Sequence, residues 1–216
     1  LMGAFLSLTI KYSILSKVNL NRIIDAIKLR NTHNNIMSPG LGVGGYCLTK
    51  DPDFAQISNN YFFKGKNSFP ITSRATSINK RMPLSSMEFL KEKSKINKKS
   101  KILVMGASYK GDVGDMRSAP SLSLLKSFKR KKFKVVVHDQ FADKKILNFP
   151  ILKLIPKFKD YDYVIFCTSH SIYKKIKLIN FSKKPIYFDL NRVLDKSQIK
   201  WIKSKNIKLE VLGDNE

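Results

Sequence analysis

Lys101-Ile-Leu-Val-Met-Gly106 decides the fold of this chain. The run is apolar from Ile102 to Met105, closed by glycine and too short for a helix, so it reads as a strand buried on both faces of a parallel sheet. Three stretches repeat the pattern downstream: Phe133-Lys-Val-Val-Val-His138, Tyr161-Asp-Tyr-Val-Ile-Phe-Cys167 and Pro185-Ile-Tyr-Phe-Asp-Leu190, with Lys208 to Leu212 as a fifth. Helical spacing separates them. Pro120 to Arg130 turns Leu122, Leu124, Leu125 and Phe128 inward, and a second helix falls near Ser197 to Ser204. Strands alternating with helices predict an open parallel α/β sheet, with ligands at the carboxyl ends of its strands.

Upstream of Lys101 the period is helical. Residues 3–17 read as a helix with Phe5, Leu8, Ile10, Ile14 and Leu15 apolar. A second helix covers 20–30, capped by Asn19 or Asn21. Asn-rich residues 31–35 break the pattern. Asp51-Pro52 starts a short helix to about Asn59, and a long one runs from Ile71 to Lys93, where Pro83 should kink or divide it. The polar, cationic stretch Ser94 to Lys101 marks the boundary between an all-α unit, 1–96, and an α/β unit, 97–216.

Composition narrows the function. The 216 residues carry a formal charge of +25. The excess is Lys scattered among many Asn and Ile, the mixture an AT-rich coding sequence produces. Arg, which nucleic-acid readers concentrate, is scarce, so we expect no nucleic-acid partner. A small anion would still gain from the field. Two cysteines, Cys47 and Cys167, make neither a disulfide framework nor a metal cluster, and suit a reducing cytoplasm. His33, His138 and His170 lack ligand spacing, so no metal is expected. Residues 1–10 are apolar but lack a basic flank, and Lys11 and Lys17 interrupt them too soon for a membrane span. With Leu at position 1, the stretch reads as the back half of a buried helix whose front half precedes it.

The chemistry concentrates in residues 38–52, Ser-Pro-Gly-Leu-Gly-Val-Gly-Gly-Tyr-Cys-Leu-Thr-Lys-Asp-Pro. Gly40, Gly42, Gly44 and Gly45 let a ligand approach the backbone closely. Gly40-x-Gly42-x-x-Gly45 matches the dinucleotide fingerprint by letter, but that motif must follow a strand and open a helix. A polar loop precedes this one. The α/β half offers only Gly106-Ala-Ser-Tyr-Lys110, so neither half is a standard dinucleotide-binding domain. Cys47 with Lys50 and Asp51 behind it is a plausible nucleophile, with a cation to favour the thiolate and a carboxylate to handle a proton. Cys167, inside Tyr-Val-Ile-Phe-Cys, reads as a core thiol.

Gly42-Val-Gly-Gly-Tyr-Cys-Leu-Thr-Lys-Asp51 resembles the catalytic-cysteine loop of the UDP-glucose/GDP-mannose dehydrogenase family. Pro39-Gly-Leu-Gly-Val-Gly-Gly45 with Asp51-Pro52 looks like the branch acting on UDP-N-acetylhexosamines, while Tyr-Cys-Leu-x-Lys-Asp leans towards UDP-glucose enzymes, so the hexose stays open. Gly106 to Pro120 and Phe188-Asp-Leu-Asn-Arg-Val-Leu-Asp195 are similar to two further family segments. Arg74 to Pro83, with Asn79 and Met82-Pro83, resembles the helix between the family's domains.

The resemblance implies a NAD-dependent oxidation of a UDP-hexose to a UDP-hexuronate, in a protein of three parts. This chain matches the central helical dimerisation part and the C-terminal, Rossmann-like UDP-sugar-binding part. It does not match the N-terminal NAD-binding part. By resemblance, Cys47 is the nucleophile and Asp51 activates water. Pro39, Gly40, Leu41, Gly42, Val43 and Gly44 lie along the substrate with Tyr109, Lys110 and Arg192, and Lys50 and Arg117 approach NAD. The family's oxyanion-stabilising Lys and Asn fall upstream of Leu1, so the 216 residues alone are expected not to turn over; a UDP-sugar-binding or dimerisation module is the alternative. The sequence departs from the family at Ser118, Ala119 and His33. A homodimer through the central helices is the expected assembly.

Overall fold

The computed structural model describes residues 17–66 and 68–214. The helix expected over 3–17 lies, but for Lys17, outside the described residues. Among the described residues three α-helices come first: α1 (Leu20–Ile27), α2 (Phe54–Tyr61) and α3 (Pro70–Lys93). The α/β part follows as β1 (Lys101–Met105), α4 (Pro120–Arg130), β2 (Lys134–His138), β3 (Ile151–Leu152), β4 (Tyr163–Phe166), α5 (Ser171–Lys174), β5 (Ile186–Asp189), α6 (Lys196–Ser204) and β6 (Leu209–Val211).

The local reasons are visible in the sequence. Asn19, not Asn21, caps α1, its side chain accepting the Arg22 N–H at 3.0 Å. Asn21 is buried instead and donates to the Leu212 carbonyl. Pro120 opens α4 at a position where its missing N–H costs nothing. Asp195 and Gln198 form a reciprocal capping box at the start of α6. Asp51–Asp53 forms a 3₁₀ turn, and α2 continues from it at Phe54. Pro83 does not divide α3, which runs unbroken for 24 residues.

All six strands are parallel, in the order β3-β2-β1-β4-β5-β6. Their side chains alternate between two cores, as the two-residue period of a strand requires. Ile102, Val104, Ile165 and Phe188 face Leu124, Leu125 and Phe128 of α4 and Met87, Phe89 and Leu90 of α3. Leu103, Met105, Val164, Phe166 and Tyr187 face Tyr173, Phe158, Phe181 and Ile202. Leu20 and Ile24 of α1 and Leu41 of the glycine loop join the first core. The helical segment and the α/β segment therefore share one continuous core on that side, which fixes the glycine loop against the sheet.

The chain order reverses between β1 and β4, where open α/β sheets form their ligand crevice. Here the protein fills that crevice itself. A Cβ on Gly106 would lie 2.4 Å from Thr168 Cβ, and one on Gly111 would lie 2.1 Å from the Ser169 carbonyl oxygen. Asp139, at the end of β2, is fully buried. It accepts from the N–H groups of Ala107, Ser108, Phe141 and Ala142, from the Ser108 hydroxyl and from His170 Nε2. The carboxylate that could have met a ribose is committed to the protein.

Candidate active site

The open cleft lies beside the plugged crevice. It has a volume of about 330 Å³ and is walled on one side by Gly40, Gly42, Val43 and Gly44 and on the other by Tyr109, Lys110 and Asn191, with Asn79 and Met82 of α3 between them. The glycine loop contains neither helix nor strand and opens no helix, unlike a dinucleotide fingerprint. Its glycines serve close packing. A Cβ on Gly44 would stand 2.6 Å from Tyr109 Cβ and 2.9 Å from both Pro120 Cδ and the Ser118 carbonyl oxygen. Gly45 has φ +90° and lies against the Tyr109 ring, and its N–H donates to the Arg117 carbonyl at 3.1 Å.

Of the residues expected along a substrate, Gly40, Gly42, Val43, Gly44, Tyr109 and Lys110 come together at this cleft. Two others point elsewhere. Leu41 turns its side chain into the core, and Pro39 is buried against Gly213. Arg192 lines a neighbouring cleft with Asp25 and Lys196. Its guanidinium makes a two-pronged ion pair with Asp25, 3.0 Å on each prong, and donates to the Ser38 hydroxyl at 3.0 Å. Arg192 holds the Asp25 carboxyl below the usual carboxylate range. Ser38, which borders the first cleft, joins the two.

Beyond the cleft wall the chain turns at 47–51, where the Cys47 carbonyl accepts the N–H groups of Lys50 and Asp51. Cys47 is exposed and free. Cys167 is buried, and burial pushes its thiol up, away from reactivity. Lys50 donates to Asp51 at 2.5 Å and stands 4.5 Å from the ring centroids of Tyr46 and Phe54. The Asp51 hydrogen bond holds the Lys50 ammonium above its usual range. The guanidinium of Arg117 approaches the same Tyr46 ring at 5.4 Å while Asp115 takes its Nε and Nη2. Two exposed cations thus share one aromatic ring beside the thiol.

Lys110 and Tyr109 sit on a segment tied down at both ends. The Tyr109 N–H donates to the Asp115 carbonyl, and the Asp112 N–H donates to His170 Nδ1 at 2.9 Å. Because Nδ1 accepts there, the proton of a neutral His170 is on Nε2, facing Asp139. The Asp112 carboxylate in turn accepts the N–H and hydroxyl of Ser171.

Sequence reasoning did not single out Asn79, Asn191 or Asp25 as site residues. Asn79 carried a partial signal in the Asn79…Met82-Pro83 resemblance. Among the described residues no group of His, Cys, Asp or Glu is placed to hold a metal, and no helix is long and apolar enough to cross a membrane.

Comparison with known proteins bears on the family and the fold. The UDP binding domain of the UDP-glucose/GDP-mannose dehydrogenase family matches residues 103–196. The UDP-N-acetyl-D-mannosamine dehydrogenase of Methanococcus maripaludis is 32% identical over 201 residues, covering 88% of this chain and 44% of the relative. A UDP-D-ManNAc dehydrogenase structure from Pyrococcus horikoshii shares 25% identity at a TM-score of 0.70, over 99% of this chain and 49% of the other. An NDP-N-acetyl-D-galactosaminuronic acid dehydrogenase structure from Methanosarcina mazei reaches a TM-score of 0.79 at 20% identity, over 98% and 47%, a likeness of fold. The chain spans about half the length of the relatives it matches. Residues 103–196 are the UDP binding domain of the UDP-glucose/GDP-mannose dehydrogenase family.

Proposed function

We propose that this chain is the UDP-sugar-binding, thiol-bearing portion of a nucleotide-sugar 6-dehydrogenase, dividing near residue 96 into a helical unit and a UDP-sugar-binding unit. The observation that carries the proposal is the course of one loop. Residues 40–44 wall a cleft opposite Tyr109 and Lys110 of the UDP binding domain, and the same strand of chain delivers the exposed Cys47 three residues later. The relatives' printed activity makes UDP-N-acetyl-D-mannosamine the first substrate to test, with UDP-glucose as the comparison.

In this reading Lys110 and the loop amides hold the diphosphate, since compact anions favour a cation and clustered N–H donors. Two molecules of NAD, bound in turn, would supply the oxidant, one for each of the two hydrides that leave the sugar C6. Lys50 and Arg117 suit the NAD pyrophosphate, being exposed cations gathered at Tyr46 beside Cys47. The sulfur of Cys47 adds to the C6 aldehyde, giving a thiohemiacetal and then, after the second oxidation, a thioester. Water cleaves the thioester to the carboxylate and frees the thiol, and Asp51 takes the water's proton. A thiolate suits both halves because it adds readily and leaves well. The 216-residue chain by itself would bind substrate without sustained turnover, because its matched part is the UDP binding domain.

The test is alkylation of the chain with iodoacetamide, read by peptide mass. Cys47 should react and Cys167 should not, and saturating UDP-N-acetyl-D-mannosamine should slow the Cys47 reaction at least about tenfold. Bound sugar nucleotide that leaves the Cys47 rate unchanged would overturn the assignment of this cleft to the reacting sugar.

A further inference from the structure

We infer that Asn79 is the positioning residue of this site: its side-chain amide grips the backbone of Val43 and sets the course of the glycine loop past the cleft. Asn79 Oδ1 accepts the Val43 N–H at 2.8 Å, and Asn79 Nδ2 donates to the Val43 carbonyl at 2.7 Å. One side chain thus satisfies both polar groups of a residue 36 positions away, as a neighbouring strand would. The loop has no ladder or helical bonds of its own at this point. Gly42 has φ +129° and Gly44 adjoins Val43 on the other side, so the flanking backbone leaves the loop many alternative paths.

The helix is shaped for this grip. In a regular helix the Asn79 carbonyl would accept the N–H of residue 83. Residue 83 is proline, which has no N–H, so the turn at 79–83 leaves that carbonyl without its helical donor. The loop docks at this turn. A Cβ on Gly42 would sit 3.4 Å from the Asn79 carbonyl oxygen, 3.4 Å from Asn79 Oδ1 and 3.4 Å from Met82 Cβ. Pro83 and Met82 are buried, so α3 cannot drift from the core that the sheet shares. Asn79 therefore ties the loop to a helix anchored in the core. One helical turn earlier, α3 packs against the 51–53 turn, with the Thr76 hydroxyl 3.3 Å from the Asp53 carboxylate. The same side of α3 thus holds the thiol-bearing segment before and after Cys47.

An amide is specifically required. Aspartate at 79 would still accept the Val43 N–H but would set a second acceptor against the Val43 carbonyl. Alanine would remove both bonds. This assignment rests on the reading of the loop as substrate-facing only for its consequence in ligand binding. The contact itself is tested separately.

The experiment is amide hydrogen exchange on the 216-residue chain, comparing wild type with Asn79→Ala and Asn79→Asp, with and without UDP-N-acetyl-D-mannosamine. Asn79→Ala should speed exchange at Val43 at least about tenfold, the scale of two lost hydrogen bonds, and loosen residues 42–47, while β1 and β4 exchange as in wild type. Asn79→Asp should fall between the two. Ligand should slow exchange at 42–45 in wild type and not in Asn79→Ala. Unchanged Val43 exchange, or equal acceleration in β1 and β4, would overturn the assignment, the latter showing a merely structural role. A wild-type chain that ignores the ligand would refute the substrate reading and leave the Val43 comparison to decide Asn79.

Discussion

Replacing Gly44 by alanine should damage the site through three contacts at once. The new Cβ would meet Tyr109 Cβ at 2.6 Å, Pro120 Cδ at 2.9 Å and the Ser118 carbonyl oxygen at 2.9 Å. Carbon atoms settle at about 3.5–4.0 Å, so the loop must retreat by about 1 Å. None of the three atoms is the free end of a flexible side chain. One is backbone, one belongs to the ring that opens α4, and one is anchored at its own Cα. Overpacking of this kind costs about 1–3 kcal/mol. For a chain of this size 2 kcal/mol corresponds to a melting temperature lower by about 4–8 °C. Gly40→Ala is the internal control. Its Cβ would meet Asn191 Oδ1 at 2.2 Å, but that is a side-chain tip able to rotate at the loss of its 3.1 Å bond to the Cys167 carbonyl, about 1 kcal/mol. Thermal unfolding followed by circular dichroism, with sugar-nucleotide affinity by calorimetry, reads both. Gly44→Ala should melt lower than Gly40→Ala and bind more weakly. Equal melting of Gly44→Ala and wild type, with affinity intact, would refute the packing argument.

Two further outcomes follow from the same geometry. Burial alone would push the Asp139 carboxyl up, but His170 and the backbone N–H donors outweigh it and hold the group well below the usual carboxylate range. The unfolded chain therefore takes up this proton first as pH falls. The stability Asp139 contributes is complete above about pH 5 and declines below it, so acid destabilisation should begin near that point, and Asp139→Asn should flatten the pH dependence while destabilising at neutral pH. Phe128→Ala, in the middle of the α4–sheet core, should cost about 3–5 kcal/mol by denaturant titration with no change in which cysteine reacts.

Most of the architecture was legible because its signals are local. Runs such as 102–105 and 186–188 are continuously apolar because both their faces meet protein, and their shortness separates them from a buried helix. β3 escaped because two residues, Ile151 and Leu152, carry no period; only pairing with Val137 and His138 makes them a strand. The four residues of α5 are similarly mute. Pro83 misled in part. A proline inside a helix costs about 3 kcal/mol, yet α3 stays whole because Met82, Met87 and Leu90 are buried in the shared core. Gly40, Gly42, Val43, Gly44, Tyr109 and Lys110 of the cleft, and the exposed Cys47, were named as site candidates from contiguous motifs and the family they resemble. Asn79 and Asp25 were not, because each acts on a partner far along the chain, Val43 and Arg192, and an Asn or Asp on a helix surface has many ordinary explanations. Arg192 shows the converse: the resemblance implied a substrate contact, and in the structure its guanidinium is held by Asp25 and Ser38.

The central claim is that the cleft between the glycine loop and Lys110 takes a UDP-sugar. Isothermal titration of the 216-residue chain with UDP-N-acetyl-D-mannosamine tests it directly. Saturable binding at one site per chain is expected, weakened at least about tenfold by Lys110→Ala through loss of a charge-assisted contact. No saturable heat, or binding that Lys110→Ala and Gly44→Ala both leave unchanged, would contradict it.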